Sequence, residues 1–281
     1  MSAQALHELA DLTPLVIVLG KGGVGKTTVA RGLCELSDQA GIPAIRVELG
    51  RGSSIARPRA GGEPGVVVLD EASALVDATA RVFGSRSAAR MVLGNSALSR
   101  VARVVPGLRE LALLTAARAL LDRCARVVID LPSTGHGLAW LTSSAVLERL
   151  VTQGPAWALA RDMSTALRDL ATTTFITVTL PETVVQLETE ELTRRLAAEL
   201  GRAPTLAVTN QRRTLDPRFE ADARAVAARS PAHAEQVAAL QRWAGGVRAP
   251  DDSRATLELP WWLHGPTPAA VAARLAARVR G

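Results

Sequence analysis

The chain has 281 residues, 48% hydrophobic and 21% charged, enough apolar material for a packed core and too much for a disordered chain. Five Trp, three Phe and no Tyr leave too few aromatic faces for a single-strand nucleic-acid platform. The formal charge of +6 is carried almost wholly by arginine: among 33 basic residues only Lys21 and Lys26 are lysines, so the excess reads as a dispersed Arg-rich surface, with no nucleic-acid partner expected.

Leu15 to Leu19 is a short apolar run between Pro14 and Gly20, the pattern of a strand buried on both faces. Thr27 to Ala40 reads as a helix stopped by Gly41 and Pro43, and Ala44 to Leu49 as a second strand. Gly50 to Pro64 reads as a loop rich in Gly, Pro and Arg, and Val66 to Leu69 as a third strand. Glu71 to Leu121 carries no strand pattern and is expected to form helices broken near Gly84, Gly94 and Pro106–Gly107. Arg126 to Ile129 is a strand ending in Asp130, and Gly137 to Ala171 is helical with a break at Gly154–Pro155. A β-branched strand over Thr173 to Leu180 is followed by a helix from Pro181 to Leu200, closed by Gly201. The chain then gives a strand at Thr205 to Thr209 and a helix over Ala223 to Gln241. A last strand at Ala255 to Leu259 and a helix from Pro268 to Val279 follow.

This alternation predicts an α/β fold, a doubly wound and mostly parallel sheet in one domain over 1–281. The helical stretches about 71–122 and 137–171 flank the strand ending in Asp130 and are expected to project together from one edge of the sheet as a subdomain. Cys34 and Cys124 lie outside any CxxC or Cys/His grouping, so zinc and a disulfide framework are not expected. No run of about 18 apolar residues occurs, so no stable membrane insertion is expected. Met1 to Leu12 has acidic residues and no Lys or Arg, unlike a signal peptide, and the expected location is cytoplasmic.

The chemistry sits after the first strand, in Gly20-Lys21-Gly22-Gly23-Val24-Gly25-Lys26-Thr27-Thr28. A glycine-rich loop between a strand and a helix, ending in Lys-Thr-Thr, is the phosphate-binding pattern. Its glycines let backbone N–H groups converge on phosphate oxygens, and the helix N-terminus adds the positive end of its dipole. In this pattern Lys26 bridges the β- and γ-phosphates, Thr27 ligates Mg²⁺ and Thr28 helps hold the α-phosphate. Asp130 closes an apolar strand, where the acid for the metal belongs. The implied cofactors are ATP and Mg²⁺.

Lys21 is an extra lysine that an ordinary phosphate loop does not need. With it the sequence resembles the deviant Walker A ATPases, and this resemblance implies a dimer in which Lys21 reaches the partner's nucleotide. Asp130-Leu131-Pro132-Ser133-Thr134-Gly135-His136 is similar to the Asp-Thr-Ala-Pro-Thr-Gly-His switch II of the arsenical pump and tail-anchored-protein targeting ATPases, matching at Asp130, Thr134, Gly135 and His136. Further segments look like that family in order. They are Pro106 to Leu111, Thr179 to Thr183 with Glu188-Thr189, Asn210, and Leu259-Pro260 with Gly265. The resemblance implies that Gly135 senses the γ-phosphate, that Asn210 reads adenine and that Pro260 belongs to the nucleotide site. It also implies a homodimer, or a heterodimer with a paralogue, acting on a protein client that the sequence does not reveal.

Departures shape the expected activity. Where the family carries Ser-Thr-Asp-Pro, this chain has Val47-Glu48-Leu49-Gly50, so Leu49 replaces the acid that orients water. Glu48 is the candidate substitute, yet strand alternation puts it on the other face. The chain is therefore either an ATPase with a rearranged switch or a poorly hydrolysing regulatory subunit. Two remote cysteines cannot form a metalloid cluster, so arsenite is not an expected cargo. With no CxxC and only Met1, Met91 and Met163, the stretch Ala88 to Leu121 reads as core or as a client groove. A positioning ATPase held to a membrane by Pro268–Gly281 is a third reading, with Val271, Leu275 and Val279 beside Arg274, Arg278 and Arg280. Trp261-Trp262 receives no assignment.

Overall fold

The computed structural model of the protein describes residues 12–50, 65–94, 105–132, 134–212, 255–260 and 266–277. The strands are β1 (Leu15–Leu19), β2 (Ala44–Gly50), β3 (Gly65–Asp70), β4 (Arg126–Asp130), β5 (Thr173–Thr179), β6 (Leu206–Arg212) and β7 (Ala255–Pro260). The helices are α1 (Lys26–Gln39), α2 (Glu71–Phe83), α3 (Arg86–Gly94), α4 (Leu108–Arg118), α5 (Thr134–Leu150), α6 (Pro155–Arg168), α7 (Thr183–Leu200) and α8 (Pro268–Ala277), with a short 3₁₀ turn at Ala119–Asp122. The strands form one sheet in the order β3-β2-β4-β1-β5-β6-β7, and every pairing is parallel. This is the doubly wound α/β fold that the alternation predicts.

β1 is central because its five apolar residues can be buried on both sides, and all of them are. Val16 and Val18 pack with Val29, Leu33 and Leu36 of α1 and with Val271 and Leu275 of α8. Leu15, Ile17 and Leu19 face the opposite layer, where Leu111 and Leu114 of α4, Leu141 of α5, Met163 and Leu167 of α6 and Leu196 of α7 close the second core. Fully burying such a side chain stabilises by about 1.5–3 kcal/mol each, which makes these two layers the main support of the sheet. α1 and α8 touch closely because Gly32 has no side chain: a Cβ there would stand 2.3 Å from Val271 Cγ1.

The helices on either side of β4 share the sheet's own core. α4, α5 and α6 lie against β1, β4 and β5, since Leu111, Leu138, Met163 and Phe175 belong to one apolar cluster. α2 packs at the β3 side with Ala74 and Ala78 against Ala112 and Leu113 of α4. Asp70 caps α2 by accepting from the Ser73 N–H at 3.0 Å, so the chain turns from β3 into α2 without a loop. The breaks at Gly84, Pro106–Gly107 and Gly154–Pro155 fall between helices as the sequence indicates. The helix expected over Ala223 to Gln241, the loop after Gly50, Ser133, Trp261, Trp262 and Gly265 lie outside the described residues. Among the described residues no helix is long and apolar enough to cross a membrane.

Candidate functional site

β1, β2 and β4 end together, and their register aligns three positions across the sheet: Val18 beside Asp130, and Asp130 beside Glu48. The sheet reverses its direction of growth around β1 and β4, where open α/β folds place their ligands. A pocket of about 520 Å³ opens there, lined by Gly23, Gly25, Lys26, Thr27, Glu48, Leu49, Asp130, Leu131 and Pro132.

The loop wraps this pocket because its glycines permit close approaches. Gly25 has φ +93°, and a Cβ on it would stand 2.2 Å from Asn210 Nδ2. Gly20 passes so near β5 that a Cβ would lie 2.3 Å from the Val178 carbonyl oxygen. Gly22 and Gly23 form the exposed tip, Val24 is buried beneath it and Thr28 is half-buried in the first turn of α1. The N-terminus of α1 carries no side-chain cap and no acid in its first turn, so its N–H groups and dipole remain available to an anion.

The lysines differ in their settings. Lys26 is buried and curls back to donate to the Lys21 carbonyl at 2.9 Å. Burial lowers its pKa, and the Asp130 charge opposes that shift. Lys21 points outward and pairs with Glu188 of α7 at 2.7 Å. Thr27 Oγ1 donates to Asp130 Oδ2 at 2.5 Å. Burial raises the Asp130 pKa; the Thr27 hydrogen bond, Arg46 and Lys26 pull it down, and Glu48 pushes it up.

Glu48 and Leu49 both reach the pocket wall, from opposite faces of β2. Glu48 shares the α1 face with Asp130, while Leu49, beside Leu69, packs on the other against the cluster of Ala74, Ala78, Ala112 and Leu113. The strand pattern therefore holds, and Glu48 sits beside Asp130. Arg46, two residues earlier on the same face, contacts Glu48 Oε1 and lies 3.8 Å from Asp130 Oδ2. The sequence reasoning missed it, although a charge inside Ala-Ile-Arg-Val-Glu-Leu, spaced by two from Glu48, was the available signal.

Asn210 stands behind the loop rather than in the pocket. Its Nδ2 donates to the Val24 carbonyl at 2.9 Å, and it is buried. The next residue, Gln211, has φ +58°, at the irregularity in β6–β7 pairing that precedes Arg212. Pro260 ends β7 opposite Arg212 and is not part of the pocket wall. Thr134, Gly135 and His136 fall in the first turn of α5, and the arrangement of their side chains lies outside the described residues. Among the described residues no group of three or more His, Cys, Asp or Glu gathers as a metal site. Cys34 is buried in α1 and Cys124 is half-buried before β4, both as free thiols. No family model matches the chain, and no curated protein matches it.

The arrangement can hold a polyanion against N–H groups and an ammonium, with a hydroxyl and a carboxylate at its inner end. Such hard oxygens suit Mg²⁺, which takes one or two protein ligands and completes its shell from phosphates and water. The short Thr27–Asp130 contact puts the two candidate ligands, Thr27 and Asp130, side by side.

Proposed function

We propose that the chain binds ATP with Mg²⁺ in this pocket and hydrolyses it. The observation that carries the reading is the Thr27–Asp130 contact at the foot of the glycine loop. The residue after the loop lysine and the acid ending the neighbouring strand meet at the pocket wall, and together they would hold Mg²⁺ beside bound phosphates. When bound, Mg²⁺ supplies charge neutralisation on the phosphate oxygens. The residues do the rest. Backbone N–H groups from Gly22 to Thr27 orient the phosphates. Lys26 exchanges the Lys21 carbonyl for β- and γ-oxygens, and Thr28 supports the α-phosphate. Asn210 braces the loop through Val24.

Glu48 is the acid within reach of attacking water, because its side chain stands on the Asp130 face of the pocket. The motif resemblance to the arsenical pump and tail-anchored-protein targeting ATPases supports ATP, a dimer of this chain or with a paralogue, and a protein client. Leu49 at the expected acid position favours a second reading, in which the chain binds ATP and turns it over slowly as a regulatory subunit.

Calorimetric titration of Mg·ATP, paired with phosphate release, tests both readings. Binding that Lys26→Ala abolishes supports the nucleotide site, and no binding by the native chain rejects it. Turnover above the Lys26→Ala background selects the enzyme; binding with background turnover selects the regulatory subunit.

A further inference from the structure

We propose that Arg46 is a positioning residue that pins Glu48 and sets the charge met by a divalent cation at Asp130. The proposal rests on the reading of the pocket as a Mg²⁺–triphosphate site. Glu48 and Asp130 are directly opposed on adjacent parallel strands, whose backbones run about 4.8 Å apart. Two carboxylates so placed, with Asp130 only 8% exposed, repel each other and form by themselves a trap for divalent cations.

Arg46 resolves that conflict from below. It lies two residues before Glu48, on the same face of β2, and is 4% exposed. A guanidinium spreads its positive charge over a planar group, and one of its nitrogens, Nη1, faces both carboxylates. Here it holds Glu48 Oε1 and approaches Asp130 Oδ2 at 3.8 Å. The three side chains together carry one net negative charge, where the acids alone would carry two. A metal ion without nucleotide therefore meets a weak site, and phosphate oxygens must supply the remaining attraction. Cation retention is thereby tied to the nucleotide, and Glu48 is kept off the metal for its role beside the attacking water.

The experiment is a titration of the full chain with Mn²⁺ alone, without nucleotide, reading free Mn²⁺ by electron paramagnetic resonance. Arg46→Met is expected to tighten Mn²⁺ by roughly tenfold or more, because Glu48 becomes a free second carboxylate. The double variant Arg46→Met/Glu48→Gln returns to the native affinity, and Arg46→Lys, which keeps the charge, stays near it. Glu48→Gln alone weakens Mn²⁺ several-fold, since Arg46 then turns wholly to Asp130. A merely structural lesion lowers affinity and cannot raise it. Unchanged or weaker Mn²⁺ binding in folded Arg46→Met overturns the proposal. Should that variant fail to fold, unchanged binding in Glu48→Gln overturns it. Failure of the nucleotide reading appears separately, in the Mg·ATP titration with Lys26→Ala.

Discussion

Lys21 donates to Glu188 at 2.7 Å within one chain, tying the phosphate loop to the helix after β5. Both side chains are about two-fifths exposed (38% and 42%), so the pair opens at little cost, on the order of 0.2–1 kcal/mol. If Lys21 serves a partner's nucleotide, this pair must first break. Glu188→Gln should therefore raise nucleotide-dependent self-association by roughly two- to fivefold and leave thermal stability almost unchanged. Sedimentation velocity with a non-hydrolysed ATP analogue measures it. Unchanged association in Glu188→Gln, with loss in Lys21→Ala, would show that Glu188 does not restrain the lysine.

Glu48 and Leu49 make opposite predictions from neighbouring positions. Glu48→Gln should lower turnover by roughly tenfold or more with a modest effect on ATP affinity, because it removes a group acting on water and not on phosphate. Leu49→Asp should fail to raise turnover, since that side chain leaves β2 on the face of Leu69 and Trp140, away from Asp130. It should also destabilise the fold by roughly 1–3 kcal/mol through a carboxylate set among apolar neighbours. Phosphate release and urea unfolding on the two variants test the pair. A gain of turnover in Leu49→Asp would return the catalytic role to position 49.

These two residues show what the sequence could and could not carry. Local signals suffice for β1, for the phosphate loop and for Asp130: apolar runs, glycine spacing and an acid at a strand end each act within a few residues. The sheet order, with β4 between β2 and β1, is not local, and it alone puts Glu48 opposite Asp130. Lys21 and Glu188 are 167 residues apart, so their pairing is invisible to periodicity. The resemblance implies that Asn210 reads adenine, and its contact with the phosphate loop, 186 residues away, carries no local signal. Its face of β6 turns it toward α1 and the loop, where its amide meets a carbonyl. The helical stretches were legible as helices, but whether they leave the sheet or cover it depends on which faces they share. That is settled by packing.

Cys34 makes stability fall in alkali. Burial, chiefly, pushes its thiol from 9.0 up to about 12, so the folded chain keeps the proton that an unfolded chain releases. A raised folded pKa stabilises fully below the unfolded value, and the contribution is lost as pH rises from about 9 to about 12. Between pH 8 and pH 10.5 the native chain should lose about 2 kcal/mol that Cys34→Ala does not lose. Urea midpoints of both proteins at the two pH values measure the difference. Equal losses would mean that Cys34 is not held neutral by the fold. Native-state labelling by a thiol reagent should likewise spare Cys34 until the chain unfolds.

Gly32 offers a test of the layer beneath the site. Replacing a mid-helix glycine with alanine ordinarily stabilises by about 0.8–1 kcal/mol. At this position a Cβ would lie 2.3 Å from Val271 Cγ1 and 2.7 Å from Val271 Cβ. The second contact cannot be relieved by rotating Val271, because a Cβ moves only with its backbone, so α8 must shift away from α1. Overpacking of this kind costs about 1–3 kcal/mol, which exceeds the helical gain. Gly32→Ala should therefore be destabilising. Adding Val271→Ala removes the nearer contact and leaves the other. The double variant should then be more stable than the sum of the single effects predicts, by about 0.5–1 kcal/mol, and still less stable than the native chain. Urea unfolding of the four proteins closes this cycle. A Gly32→Ala variant more stable than the native chain would mean that α8 does not seat on α1 at this glycine.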